Sequence, residues 1–198
     1  MAKQFNWPIV EKKLRAAGVS LFTPQDLIQL LSASPLSVRF LLTRAVKRGD
    51  IFKLRRGLYA RTDGLPSDLE VANALYRPSY LSFAFALSYH RLIPETVYTL
   101  TSATTRTTAT FSALGKQFAY HHIKPKAYTG YRSERANGRV IWIAEPEKAL
   151  VDTLYFVLRG QMALSERLNA KGLSSQRALT FAKLYDYKDL SELVKKAL

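Results

Sequence analysis

The chain has 198 residues, enough for one large domain or two small ones, and 30 Lys and Arg against 15 Asp and Glu give a formal net charge of +15. A hydrophobic content of 47% is typical of a folded core and excludes a disordered polyelectrolyte. The absence of cysteine excludes a disulfide framework and a cysteine-based zinc site. No apolar run approaches the roughly 18 residues of a membrane span, and no signal-peptide pattern is present.

The first third of the chain predicts helices followed by a hairpin. A helix is expected over 8–17, with Gly18 as its stop. Thr23 and Pro24 are typical of an N-cap and a first helical residue, so a second helix begins there. After a short break at 32–34, a third helix is expected over about 36–48. Its inward stripe has helical spacing and consists of Val38, Leu41, Leu42, Ala45 and Val46.

Two short strands, 51–54 and 58–60, surround the basic turn at 55–57. A short helix, a tight turn, a second helix and a hairpin together predict a winged helix-turn-helix that reads DNA. The alternative is a trihelical domain used for protein contacts. Residues 1–62 hold 12 Lys and Arg against 3 Asp and Glu, a net charge of +9, whereas residues 63–198 have a net charge of +6. This asymmetry favours nucleic-acid binding by the N-terminal part, because basic side chains release the counterions condensed on a polyanion.

The predicted recognition helix and wing supply the candidate DNA-binding side chains. We expect Arg44 to pair with guanine in the major groove, and Arg39 and Arg48 to lie at the flanks near phosphates. The wing is expected to contact phosphates or the minor groove, with Arg61 nearby. Phe40 is expected to pack on the N-terminal helix rather than to meet DNA. The full candidate set is Ser37, Arg39, Thr43, Arg44, Lys47, Arg48, Lys53, Arg55 and Arg56.

Residues 62–67 have the composition of a linker, which predicts one domain over 1–62 and another over 63–198. In the second domain a helix is expected over 82–90. Strands are expected over 96–101, 107–112, 117–123 and 139–143, followed by a helix over 146–157 and further helices over 164–198. The predicted fold class is α+β: an N-terminal winged helix-turn-helix domain followed by a mixed α+β C-terminal domain that ends in helices.

One group of charged residues, Glu145, Glu147, Lys148 and Asp152, lies beside a predicted strand end. A metal-dependent nuclease could hold Mg²⁺ with such carboxylates. Glu147 and Lys148 equally fit the charged first turn of a helix. His121 and His122 are adjacent on a strand and point to opposite faces. We therefore expect no catalytic residue, no metal site and no cofactor.

Four segments together carry a family resemblance. They are 53–59 (KLRRGLY), 80–95 (YLSFAFALSYHRLIPE), 97–102 (VYTLTS) and 143–152 (IAEPEKALVD). In this order and spacing they resemble the AbiEi family, the antitoxins of type IV toxin–antitoxin systems, which are associated with phage defence. The resemblance covers most of residues 20–158.

The resemblance implies a cytoplasmic, nucleoid-associated autorepressor whose winged domain binds inverted repeats in double-stranded promoter DNA. It also implies an antitoxin domain, 63–198, that opposes a nucleotidyltransferase-like toxin without a stable complex, with no membrane partner. Basic residues around the predicted strands form the candidate antitoxin surface: Arg106, Lys124, Lys126, Arg132, Arg135 and Arg139. Two alternatives remain, a plain winged-helix repressor with a sensing or dimerising C-terminal domain, and a metal-dependent DNA nuclease.

Overall fold

The structure is a computed structural model that describes residues 6–136 and 138–198, and the chain divides into two compact units, Met1–Ser67 and Asp68–Leu198. In the described part of the first unit the elements are α1 (Trp7–Ala16), β1 (Leu21–Phe22), α2 (Pro24–Leu31), α3 (Pro35–Arg48), β2 (Ile51–Arg55) and β3 (Leu58–Arg61). The strands form an antiparallel sheet in the order β1-β3-β2. This is the arrangement of a winged helix-turn-helix.

Apolar side chains from every helix of the first unit meet over its small sheet. Trp7 of α1 lies against Phe22 of β1, with ring centroids 6.2 Å apart, and Phe22 lies 6.1 Å from Tyr59 of β3. Leu27 of α2 and Val38 of α3 are fully buried in the same core. The predicted inward stripe of α3 is correct except at its last member, since Val46 is 38% exposed.

Local hydrogen bonds determine where α2 and α3 begin. At α2, the Thr23 hydroxyl accepts from the amide of Asp26 at 3.3 Å, and the Thr23 amide donates to Asp26 Oδ2 at 2.7 Å. This reciprocal capping box satisfies amides that have no partner inside the helix. At α3, the Ser34 hydroxyl accepts from the amide of Ser37 at 3.2 Å. The side chain of Ser34 therefore determines where the turn between α2 and α3 ends and where α3 begins.

Arg61 and Asp63 form a partly buried ion pair at the end of the winged unit. The Nε and Nη2 atoms of Arg61 donate to the two carboxylate oxygens of Asp63 at 2.8 and 2.5 Å, and Nη1 donates to the carbonyl of Val19 at 3.2 Å. Arg61 is buried, so its expected place near the DNA-contacting wing residues is wrong. Hydrogen bonds from Arg61 are the main reason why the pKa of Asp63 is lowered.

Asp63→Asn should lower the unfolding free energy of the first unit by about 1–3 kcal/mol, because Arg61 loses a charged acceptor. Since the pKa of Asp63 is lower when folded, its contribution is complete above the unfolded pKa of about 3.9 and is lost as pH falls through the folded value. Denaturation can be followed by Trp7 fluorescence in a Trp142→Phe background. The difference in unfolding free energy between the parent and the Asp63→Asn variant should be constant at neutral pH and shrink below about pH 4. A difference that persists unchanged in acid would contradict the ion-pair account.

The described part of the second unit combines a mixed sheet with helices. Its elements are α4 (Asp68–Leu75), β4 (Ser79–Leu81), α5 (Phe83–Tyr89), β5 (Leu100–Thr104), β6 (Ala109–Ala113), β7 (Lys116–His122), a 3-10 turn (Pro125–Ala127), β8 (Tyr131–Ala136), β9 (Arg139–Ala144), α6 (Pro146–Leu158), α7 (Ser175–Leu184) and α8 (Leu190–Ala197). The sheet order is β6-β7-β5-β4-β9-β8, with parallel pairing of β5 to β7 and β4 to β9. The α+β fold class is confirmed.

A buried carboxylate, that of Asp152 on α6, joins several elements of the second unit. Tyr80 and Ser82 donate to its Oδ2 at 3.0 and 2.7 Å, while Tyr185 donates to its Oδ1 at 2.5 Å and Lys148 completes the set as an ion pair. Burial lowers the pKa of Lys148, and the adjacent Asp152 opposes that shift. Burial and the nearby carboxylate raise the pKa of Tyr80 and of Tyr185, so both phenols remain donors.

The structure adds α4, β4 and β8, which were not expected from the sequence, and it changes two of the expected segments. The strand expected over 96–101 begins only at Leu100 and continues to Thr104, because 100–104 is the segment buried between β4 and β7. Residues 96–99 are irregular, and Tyr98 is 79% exposed. The C-terminal region is helical only in α7 and α8, since residues 160–174 form turns and irregular segments.

Candidate nucleic-acid interface

The exposed face of α3 carries three basic side chains that have no partner among the described residues. Val38, Leu41 and Ala45 are buried against the core. Their burial turns Arg39, Thr43, Arg44 and Lys47 outward, and all four are exposed. Thr43 Oγ1 donates to the backbone carbonyl of Arg39 at 2.9 Å, which fixes the threonine methyl group relative to the helix. Within the described residues, no hydrogen bond or ion pair engages the side-chain cations of Arg39, Arg44 or Lys47.

A cavity of about 410 Å³ lies where α3 meets α2 and the hairpin. Arg39 and Thr43 of α3 line it together with Lys53 of β2, and apolar side chains including Ile28 and Tyr59 form the rest of its wall. The structure thus brings three of the predicted DNA-binding residues together in one concave surface. Arg44 does not line it, and lies roughly 140° around the helix from Arg39 by helical spacing.

Other candidate residues are engaged with the protein or lie to the side. Ser37 is partly buried, and its hydroxyl lies 2.9 Å from that of Ser34 in the helix cap. Arg48 is exposed but its Nε donates to Asp50 Oδ2 at 2.8 Å. The contacts of Ser37 and Arg48 within the protein therefore explain their positions without a ligand.

The wing is a β2–β3 hairpin whose tip is basic. Arg56 is exposed at the turn, and Gly57 follows with φ +78°, a conformation that side-chain-bearing residues rarely adopt. Arg55 is half-buried, and its Nη1 donates to the carbonyl of Arg56 at 3.4 Å, while its Nε is buried with no partner among the described residues. Arg56 is therefore the more accessible of the two wing arginines.

Large apolar side chains are exposed on the same helix and hairpin. Leu36 and Phe40 on α3 are 59% and 57% exposed, and Phe52 on β2 is 45% exposed. The expectation that Phe40 packs on the N-terminal helix is wrong, since most of its ring remains accessible. Exposed apolar groups that accompany unpaired cations are what contact with thymine methyl groups requires.

The six basic residues of the candidate antitoxin surface do not form one patch. The sheet register places Arg106, Arg135 and Arg139 at one end of the sheet, where β5 and β8 end and β9 begins. Arg132 lies toward the opposite end and donates to Glu134 Oε1 at 2.8 and 2.6 Å.

Lys124 and Lys126 lie in the segment that follows β7. Lys124 donates to the carbonyl of Asp186 at 3.1 Å, whereas Lys126 is exposed on the 3-10 turn. Lys124 therefore has a structural role of its own.

The carboxylates that suggested a nuclease are separated and occupied. Asp152 is fully buried within its four donors, Glu145 pairs with Arg177, and Glu147 Oε1 accepts from the amide of Ser174 at 3.1 Å. Within residues 6–136 and 138–198, no three His, Cys, Asp or Glu side chains converge as a metal-binding group. Lys148 and Asp152, one turn apart on α6, form a structural pair that helical spacing alone would have predicted.

The histidines are accounted for by packing and backbone contacts. His121 lies between Phe83 and Phe156, and burial lowers its pKa. His122 Nδ1 lies 3.0 Å from the carbonyl of Arg106, on the opposite face of β7. His90 ends α5, and its Nε2 lies 2.8 Å from the carbonyl of Ala144.

Comparison with known proteins identifies the winged unit. Residues 11–62, from within α1 to the end of the hairpin, match the AbiEi_4 family model, described as "Transcriptional regulator, AbiEi antitoxin". This match confirms the AbiEi resemblance for that segment and associates it with transcriptional regulators and antitoxins. None of the curated proteins compared with the chain matches it. No helix in the described part of the chain is long and apolar enough to cross a membrane.

Asp152→Ala should destabilise the second unit strongly, by about 3–5 kcal/mol, because the buried Lys148 ammonium loses its counter-ion. Glu145→Ala should cost less than about 1 kcal/mol, since the Arg177 side chain that pairs with Glu145 is 52% exposed and water screens the pair. Urea denaturation followed by Trp142 fluorescence in a Trp7→Phe background would measure both. Equal, small effects would mean that Asp152 does not hold the unit together and would reopen a catalytic role for the cluster.

Proposed function

We propose that the protein is a DNA-binding transcriptional autorepressor and the antitoxin of a type IV toxin–antitoxin system, opposing a nucleotidyltransferase-like toxin. The observation that carries the first part is the concave surface between α3 and the wing, where Arg39, Thr43 and Lys53 meet. The family match at 11–62 supports both parts, since it covers this surface and is described as regulator and antitoxin.

In this proposal α3 enters the major groove of promoter DNA, and inverted repeats supply its sites. Arg39 takes the base-reading role, because it lies in the concave surface with Thr43, whose methyl group suits a thymine methyl. Lys53 and Arg56 hold phosphates beside it. Arg44, on the side of the helix, contributes to affinity more than to sequence preference.

The antitoxin activity belongs to the second unit in this proposal and requires no stable toxin complex. Its support is the pair of arginines that the sheet brings to one end, Arg106 and Arg135. Arg139 lies at the same end but is paired with Glu70 at 3.6 Å. A basic surface of this kind suits protection of a nucleic acid that the toxin would modify. The nuclease alternative is weakened, because its carboxylates are already bonded within the protein.

Binding to promoter duplex should weaken with salt by a log–log slope of about −0.9 for each phosphate contact. Arg56→Ala and Lys53→Ala should each weaken binding to all sequences and reduce that slope by about one. Lys13→Ala, which removes an exposed cation on α1, is the matched control and should change neither. A titration at several salt concentrations in which all three variants behave alike would contradict the proposed surface.

Arg39→Ala should lose about 1–3 kcal/mol of discrimination at individual base pairs, whereas Arg44→Ala should weaken all sequences similarly. Both side chains are exposed and without protein partners among the described residues, so neither change should disturb folding. Affinities for a set of single-base operator variants would separate the two roles. If Arg44→Ala alone changes sequence preference, the assignment of α3's reading face is wrong.

In cells, full-length Arg39→Ala/Lys53→Ala should release a promoter reporter while still rescuing growth beside the cognate toxin. Arg106→Ala/Arg135→Ala should retain repression and lose rescue, because its changes lie in the second unit. The result that would overturn this division is loss of rescue in the first variant together with full rescue in the second.

A further inference from the structure

A cavity of about 300 Å³ in the second unit is walled largely by aromatic rings. Tyr131 and Trp142 meet edge to face with centroids 5.8 Å apart, and Tyr128 lies 5.2 Å from Tyr131. Trp142 is 46% exposed, which is unusual for a large aromatic side chain. Three aromatic rings therefore border open space that a flat, aromatic ligand could fill.

Polar groups at the rim define what kind of ligand fits. Arg77 lines the cavity and is exposed; its Nε donates to the carbonyl of Asn73 at 3.2 Å, and its other nitrogens have no partner in the described chain. Ser79 also lines the cavity, and its buried hydroxyl has no partner among the described residues. Among those residues no carboxylate lines this wall, so the site does not suit a cation.

Asn73 fixes the position of the exposed tryptophan. Its side-chain Oδ1 accepts from the amide of Trp142 at 2.7 Å, and its Nδ2 donates to the carbonyl of the same residue at 3.1 Å. Trp142 also pairs with Ser133 of β8, so these two bonds from α4 add to the strand pairing of β9. The backbone of Trp142 is therefore held by both α4 and β8, and this fixes the position of the exposed indole ring.

The sheet end next to the cavity is basic. Ser79 pairs with Thr104 at the end of β5, and β9 runs parallel to β4, so the segments before β4, after β5 and before β9 share one end. Arg77 and Arg106 lie there, and Arg106 Nη1 donates to the carbonyl of Arg77 at 3.3 Å. Arg135, near the end of β8, is on the same face as Trp142 by strand register. A chain of phosphates could follow these side chains away from the cavity.

We propose that this cavity receives one unstacked base of a single-stranded nucleic acid, with its flanking phosphates on Arg77 and the neighbouring arginines. Bases stack on aromatic side chains whatever their identity, and a basic path beside the rings is the usual companion of such a site. The volume lies at the lower end of the roughly 300–1,000 Å³ of ligand pockets, which suits one base. RNA and single-stranded DNA share this chemistry. The inference deepens the antitoxin part of the proposed function and rests on it, because that part already places a nucleic acid against Arg106 and Arg135 of the second unit.

The Tyr128 phenol in the cavity wall is hydrogen-bonded to the neighbouring Tyr131. Burial raises the pKa of Tyr128, and Tyr131 adds to the effect, so the Tyr128 phenol stays protonated at physiological pH. Its oxygen can still accept a hydrogen bond from the edge of a base whose face is stacked.

The test uses the full chain with hexanucleotides of RNA and of DNA that carry a central 2-aminopurine. Stacking in the cavity should quench its fluorescence, and anisotropy should give the affinity. Trp142→Ala should weaken binding about tenfold and abolish quenching, since the stacking surface is lost. Trp142→Phe retains an aromatic face and should stay within about threefold of the parent. Val140→Ala, on the same strand face but outside the cavity, is the matched control and should change neither signal.

Arg77→Gln provides a second, independent variant. It should weaken oligonucleotide binding and make that binding less dependent on salt. The 2-aminopurine should still be quenched at saturation, because the aromatic rings are unchanged. It decides the matter if Trp142→Ala proves unfolded by circular dichroism. Quenching by either RNA or DNA supports the cavity, and the tighter of the two identifies its natural source. No quenching by either oligonucleotide, or equal binding by Trp142→Ala and Val140→Ala, would overturn the proposal. Promoter duplex binding, measured in parallel, distinguishes this failure from failure of the proposed function.

Discussion

The second unit depends on the burial of one carboxylate, that of Asp152. Taking such a charge out of water costs several kcal/mol unless hydrogen bonds and a counter-ion replace the lost solvent. Here β4, the start of α5, α6 and the end of α7 each supply a donor to Asp152. The arrangement works only when all four elements are in place, so it selects one packing among those that apolar contacts alone would allow. Tyr80, one of these donors, also stacks on Tyr131 at 4.5 Å, which connects the buried charge to the aromatic cavity wall.

The chain's basic excess is informative only after its cations are sorted by their partners. Arg61, Arg132 and Arg177 are engaged by carboxylates of the protein. Arg39 and Lys53, by contrast, meet in one concave surface with no protein partner within the described residues. Net charge brings a polyanion close by long-range attraction, but the unengaged cations determine where it can be held. For this reason Arg61, which the sequence associates with the wing, contributes stability to the winged unit instead.

The winged unit could be predicted from sequence because its signals are local. The cap at Thr23, the inward stripe beginning at Val38 and the glycine at position 57 each act within a few residues. The helical stripe failed only at Val46, which lines the open cavity between α3 and the hairpin and is 38% exposed. Asp63 lies in a segment whose composition is typical of a linker. The sequence does not reveal its ion pair with Arg61, because that pair depends on the backbone conformation at the end of the hairpin.

The second unit was harder to predict because its sheet is assembled from distant segments. β8 is an edge strand in which three of six residues are charged and no apolar period is present, so only its pairing with β9 reveals it. β4 has only three residues, and α4 before it has only eight, so neither gives a long periodic pattern. The aromatic cavity combines α4, the loop before β8, and β9. No sequence spacing relates Arg77 to Tyr128 and Trp142, and the exposure of Trp142 is visible only once the strands are paired.

The two candidate surfaces differ in their chemistry. The surface around α3 favours a duplex, and the cavity at Trp142 favours a single strand. Around α3 the cations lie on a helix and a hairpin, shapes that fit the grooves of a duplex. At Trp142 the binding surface is the face of an aromatic ring inside a cavity for one base. A base within a duplex is stacked on both sides and cannot enter such a cavity without the cost of extrusion, whereas an unpaired base has that face free. In the two proposals, duplex promoter DNA and an unpaired strand therefore use different side chains, which is why repression is proposed for one unit and protection for the other.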